Sequence, residues 1–176
     1  MRFGTVMPEA AVREMLLGRH ASELADLLHQ LDGCVQMSVK AFYGADALLR
    51  HALRAHPELK RRAQDLERQP PERTVGERVA LGQEVARAVE EQRWQDEQRL
   101  VEGLTPLVRE LRAEPVDGER MAANLQLLVE RDRRGPLDAA VARLAEANAD
   151  RFAIRYVGPL APYSFADLSL EAPAWG

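Results

Sequence analysis

The run from Thr74 to about Gly103 constrains this chain most, because it reads as one continuous helix. Thr74 stands three residues before Glu77, and the hydroxyl and carboxylate of such a pair each satisfy a backbone N–H left open in the first turn, which predicts a capping box. At a rise of roughly 1.5 Å per residue the helix reaches about 45 Å, longer than a small domain is wide. Everything else must be laid along it. Val75, Val79, Gly82, Ala86 and Val89 form the stripe expected to be buried. Beyond Val89 the stripe fades, since "EEQRWQDEQR" offers only Trp94 as an apolar group. That half is expected to face solvent, or a surface supplied from outside the chain.

The segments on either side change period. Arg2 to Val6 is a short strand candidate, and Pro8 opens a helix whose stripe runs through Val12, Met15 and Leu16. After a kink near Gly18 the stripe continues through Leu24, Leu27, Leu28 and Leu31, and Asp32-Gly33 ends it. From Cys34 the period becomes two: Val35, Met37, Val39 and Ala41 alternate with Gln36, Ser38 and Lys40, which predicts a half-buried strand with one wet face. Ala45–Ala55 and Pro57–Arg68 read as two short helices, followed by the stiff linker "QPPER". In the last third, Leu107–Glu114 suggests a strand, Pro115–Gly118 a turn and Met121–Glu130 a second strand. Gly135-Pro136 introduces a helix carrying Leu137, Val141 and Leu144. Arg151–Val157 returns as a strand, with Phe152, Ile154 and Tyr156 on one face. The expected class is α+β: a strand–helix–strand unit at the front, a helical middle and a small α+β unit with antiparallel strands at the end. The corresponding boundaries are 1–43, 44–105 and 106–176.

Composition narrows the function classes. The net charge of −4 is small, and basic residues interleave with acidic ones. Phosphate binding wants a one-sided basic face, so nucleic acid is not expected as the partner. No apolar run approaches the roughly 20 residues that span a bilayer, and "MRFGTVMPEAAV" lacks the basic start and apolar core of a signal peptide. One cysteine, Cys34, permits no internal disulfide. A cytoplasmic protein is the expectation.

Reactive groupings are sparse. His20, His29, His51 and His56 do not form the i, i+4 pair of a helical zinc site, and no metal or cofactor is expected. Cys34 follows a helix C-terminus, where the dipole disfavours a thiolate, so it reads as a structural thiol. No phosphate-cradling glycine loop is present. In "DGERMAANLQLLVERD", Glu119 and Arg120 stand at a turn and Asn124 enters the strand. One reading is a turn ion pair with an asparagine fixing the strand start. The other makes Arg120 and Asn124 polar groups that reach a ligand or partner, and so a small-molecule-binding or enzymatic site near Glu119 and Arg120. In "RYVGPLAPYSFADL", two prolines preset the backbone around Tyr156, Tyr163 and Phe165. Aromatic groups held this way either close a core or anchor an apolar partner. Trp94, Arg120, Asn124, Tyr156, Tyr163 and Phe165 are thus the candidate partner-binding residues.

"RFGTVMPEAAVREML", "GERMAANLQLLVERD" and "RYVGPLAPYSFADL", in that order and spacing, resemble the gas vesicle protein F and L family (GvpF/GvpL). The resemblance covers nearly the whole chain. It implies an N-terminal ferredoxin-like domain and a C-terminal α+β domain joined through helices. It implies a non-catalytic structural or assembly role in gas vesicles, in contact with their strongly apolar wall protein and with other gas vesicle proteins, and with no cofactor. Typical members carry two further strands and a helix ahead of the equivalent of Arg2–Val6. In a ferredoxin-like sheet ordered 4-1-3-2, Arg2–Val6 would then be the third strand and Cys34–Phe42 the fourth, with the absent first strand between them. On that expectation the chain is a truncated product, carries a misplaced start, or is a half-domain completed by another chain.

Overall fold

The structure, a computed structural model, describes residues 8–167. The strand expected at Arg2–Val6 lies outside them. A short turn of helix α1 (Glu9–Ala11) leads through a π-helical segment, Val12–Leu17, into α2 (Gly18–Leu31). There follow β1 (Cys34–Tyr43), α3 (Ala47–Ala55), α4 (Pro57–Glu67) and α5 (Val75–Leu104). The chain then forms β2 (Glu110–Ala113), β3 (Met121–Glu130), α6 (Arg134–Ala147) and β4 (Phe152–Leu160).

The four strands form one sheet in the order β2-β3-β1-β4, antiparallel at every pairing. Read from the other end this is 4-1-3-2, and the element sequence from Cys34 to Leu160 is β-α-β-β-α-β with α3 to α5 as the first crossover and α6 as the second. That is the split βαβ, or ferredoxin-like, topology. Cys34–Tyr43 is therefore its first and central strand, not a fourth strand awaiting a missing neighbour. Its neighbours are β3, from Cys34 opposite Glu130 to Phe42 opposite Met121, and β4, from Gln36 opposite Leu160 to Tyr43 opposite Phe152. A boundary at residue 43 separates β1 from both of its partners. The sequence could not reveal this, because the alternation in β1 reports that a strand exists and not which strand it joins.

Side-chain alternation sorts the sheet into two faces. Val35, Met37, Val39, Ala41 and Tyr43 of β1, with Ala123, Leu125, Leu127 and Val129 of β3, meet Leu100 and Leu104 of α5 and Leu137, Ala140 and Val141 of α6 in the main core. Phe152 belongs to the same cluster, and Ile154 and Tyr156 pack against it. A second cluster joins α3 and α4 to α5 through Ala52, Leu59, Leu66, Leu81 and Ala88. The opposite sheet face was expected to be wet, yet Gln36, Ser38 and Gln126 are buried there. Gln36 Nε2 donates to Gln126 Oε1 at 2.9 Å, and Gln36 is seated against the turn at Tyr163–Phe165.

Two expectations for α5 are corrected. Its buried positions are Leu81, Ala88, Gln92, Asp96, Leu100 and Leu104, so Val75 and Val79 lie outside and the inward stripe is rotated from the one expected. The larger leucines and the α4 contact set the phase. The half beyond Val89 is not bare either, because polar Gln92 and Asp96 occupy its inward side. Thr74 does precede the helix, but no capping box forms: its hydroxyl donates to Pro70 O at 3.3 Å and accepts from Arg78 Nε at 3.0 Å. The Arg78 guanidinium also donates to the Leu66 carbonyl and so ties α4 to α5.

Candidate functional site

The most concentrated polar chemistry lies inside the fold. Asp96 of α5 is 1% exposed, and its Oδ1 accepts hydrogen bonds from Gln92 Nε2 at 3.1 Å, Arg99 Nη1 at 2.7 Å and Arg151 Nη1 at 2.8 Å. Its Oδ2 accepts from the Tyr43 hydroxyl at 3.1 Å. A buried carboxylate is tolerable only when paired and fully hydrogen-bonded, and here α5, β1 and the approach to β4 each contribute a donor. The arrangement fastens the long helix to the centre and edge of the sheet. It offers no free acid or base to a substrate.

Burial, followed by the Asp96 carboxylate, raises the Tyr43 phenol well above its usual range. Burial and a 2.8 Å bond to Asp138 Oδ1 raise Tyr156 in the same direction. The unfolded chain releases these protons near pH 10 while the folded chain keeps them. The folded state then binds more protons, so stability present below pH 10 is lost as pH rises above it. Denaturant midpoints measured across that window should fall, and they should fall less steeply in Tyr156→Phe. A flat profile would contradict the buried phenols.

The turn ahead of β3 carries the Glu119 and Arg120 pair. Arg93 of α5 donates to Glu119 O and Met121 O, both at 3.1 Å, and Arg120 donates from Nε and Nη2 to Tyr43 O at 3.3 Å. No Glu119–Arg120 ion pair forms among the described residues. Asn124 Nδ2 donates to Pro115 O at 3.3 Å, and its Oδ1 accepts from Gln126 Nε2 at 3.2 Å. An open cleft of about 470 Å³ lies beside this turn, lined by Tyr43, Leu48, Val89, Arg93, Glu119 and Arg120 among others. Both guanidiniums at its rim donate to backbone carbonyls and so order the turn, while Arg93 Nε is buried without a hydrogen bond, 3.8 Å from Glu90 Oε2.

The aromatic candidates part company. Phe165 is 3% exposed, packed with Cys34 and Leu128, with the Arg112 guanidinium 4.9 Å from its ring centroid. Tyr156 is half-buried against the main core. Tyr163 is 68% exposed and Trp94 is 61% exposed. Cys34 and Leu128 point to the sheet face away from α5, while Trp94 lies on the outer side of α5. Trp94 and the Tyr163–Phe165 turn therefore stand on opposite sides of the molecule. The Asp96 cluster was not anticipated from sequence. Its signal was a polar residue at each of two successive inward positions of α5, Gln92 and Asp96.

Among the described residues no group of three or more His, Cys, Asp or Glu is placed to hold a metal ion. His20, His51 and His56 stand near Glu23, Asp150 and Glu58 respectively. Cys34 is buried, with Arg109 Nη1 3.7 Å from its sulfur. No helix among the described residues is long and apolar enough to cross a membrane.

These features define an α+β protein built on a ferredoxin-like antiparallel sheet, with its long crossover helix locked to the sheet by a buried carboxylate. The family model described as gas vesicle synthesis protein GvpL/GvpF matches residues 1–167, and the chain belongs to that family. Gas vesicle protein F of Streptomyces sp. (strain CB03234) is 33% identical over 167 residues, which span 95% of this chain and 69% of that protein. Gas vesicle protein F of Dolichospermum flosaquae is 25% identical over 175 residues, 96% of this chain and 68% of that protein. The crystal structure of GvpF from Anabaena sp. PCC7120 matches with a TM-score of 0.83 at 26% identity, covering 96% of this chain and 69% of that one. GvpF from Microcystis aeruginosa shares the fold with a TM-score of 0.74 at 24% identity, over 96% of this chain and 69% of that one.

Proposed function

We propose that this chain acts in gas vesicle formation without catalysing a reaction, by holding the apolar wall protein at its surface until that protein is added to the growing shell. The observation that carries the reading is the match of residues 1–167 to a family described by its part in gas vesicle synthesis. The internal chemistry is in keeping with it, since the most buried charged groups are bound to one another and not aimed into a cleft. Under this reading the protein resides in the cytoplasm and at the gas vesicle. Of the candidate contacts, Tyr163 and Trp94 have the exposure that binding requires, whereas Phe165 and Tyr156 serve the fold.

Co-expression with the wall protein and recovery through a tag on this chain tests the reading. The double variant Trp94→Ala, Tyr163→Ala should remain folded and lose wall-protein capture at least about tenfold, as hot-spot aromatic truncations do. Phe165→Ala should instead lose about 2 kcal/mol of stability, low for a buried phenylalanine because its cluster is small and at the periphery. A native chain that recovers no wall protein would sink the proposal.

A further inference from the structure

The sheet leaves β4 at one end, and from Phe152 to Val157 its outer side meets no other strand among the described residues. The Phe152 N–H at the start of that side donates to Asn148 O at 3.0 Å, and the outward backbone groups of Ile154 and Tyr156 make no hydrogen bond in any turn or loop among the described residues. Edge strands are commonly blunted by shortness, proline, a bulge or a lysine. At the opposite edge β2 is short, and its Arg112 is tied to Glu110 and Asp167. On β4 the bulge and the proline come only at Gly158-Pro159, after the open run.

A second observation falls on the same edge. Lys40 of β1 stands directly opposite Arg155 of β4, on the sheet face away from α5 and α6. Like charges facing across an antiparallel pair cost stability. Neither makes an ion pair among the described residues, whereas Arg99, Arg112, Arg133, Arg134 and Arg151 each have a carboxylate partner. On its other side Lys40 faces Asn124, an amide, and Arg155 rests 5.5 Å from the Phe42 ring centroid. In a chain with 28 acidic residues, two adjacent cations without a carboxylate call for an anion from outside.

We propose that β4 accepts an extended segment of a partner chain as an added strand, which places a carboxylate over Lys40 and Arg155. The unpaired backbone specifies the strand. The two faces specify its side chains: apolar toward Ile154 and Tyr156, acidic toward Arg155. The inference stands apart from the capture of the wall protein, which is argued from family membership and exposed aromatic groups, so either can fail without the other.

The probe is acetyl-Val-Glu-Val-Glu-Val-amide added to the full chain, read by amide chemical shifts and by hydrogen exchange. Shifts and slowed exchange should map to Ala153–Val157, and Arg155→Glu should weaken binding at least about tenfold while admitting the lysine counterpart of the peptide. On the unmodified protein, N-methylating one set of alternate peptide residues should abolish binding and methylating the other should spare it, as a one-sided ladder requires. No shifts at millimolar peptide, equal binding of both methylated peptides, indifference to Arg155→Glu, or displacement by a single-stranded oligonucleotide at lower concentration would each overturn the proposal.

Discussion

Asp96→Ala is expected to cost about 3 kcal/mol of folding stability, the lower end of what removing one partner of a buried charge pair costs. In a chain of this length that corresponds to a fall in melting temperature on the order of 10 °C. The loss follows from what remains. The Tyr43 hydroxyl and the Arg151 and Arg99 guanidiniums all donate to this one carboxylate and make no other side-chain hydrogen bond among the described residues. The guanidiniums are partly open to water, at 27% and 49% side-chain exposure, which holds the figure at the lower end. Asp96→Asn keeps the shape and should cost less, because an amide still accepts from Tyr43. Urea midpoints with an unchanged m-value would measure both. A double-mutant cycle with Tyr43→Phe should show coupling between the two sites, since they share a bond. Additive losses, or an Asp96→Ala variant as stable as the native chain, would mean that the carboxylate does not fasten α5 to the sheet.

Gly158→Ala is expected to cost about 3 kcal/mol, from strain and overpacking together. The residue has φ +149°, a region that side-chain-bearing residues rarely adopt. A Cβ there would lie 2.5 Å from Met37 Sδ and 3.0 Å from the Gln36 carbonyl oxygen. The sulfur can move, but the carbonyl belongs to the central strand and cannot. Gly158 sits in the bulge where the pairing of β1 with β4 shifts register, between Gln36–Leu160 and Ser38–Val157. Measured against a Met37→Ala chain, itself weakened by the lost core contacts, Gly158→Ala should recover only part of its cost, because the side-chain clash is gone and the backbone conformation is still strained. Full recovery, or no loss at all, would contradict this account of the bulge.

Strands β1 and β3 were legible as strands because their composition and period announce them. Their partnership was not, because alternation has no address: β1 belongs to a sheet whose other members arrive after a helical crossover. The reading of Cys34–Phe42 as a fourth strand placed it by analogy with a domain order, and the hydrogen bonds placed it first. Thr74 marked the start of α5 correctly, yet the capping box failed because Arg78, one turn on, competes for the same hydroxyl. The stripe through Val75 and Val79 failed because β-branched residues on a helix report apolarity without reporting which side has a neighbour. Gln92 and Asp96 were the readable clue that went unread. Of the six candidate contacts, exposure separates Trp94 and Tyr163 from Tyr156 and Phe165, a distinction that no local pattern in "RYVGPLAPYSFADL" contains.

The central place of β1 has a consequence during synthesis. Cys34 pairs with Glu130 and Gln36 with Leu160, so β1 emerges from the ribosome well ahead of either neighbour. At the usual pace of translation the wait is on the order of ten seconds. Throughout it, an apolar strand with two bare edges depends on the nascent helices, or on a chaperone, to keep it from pairing with a stranger.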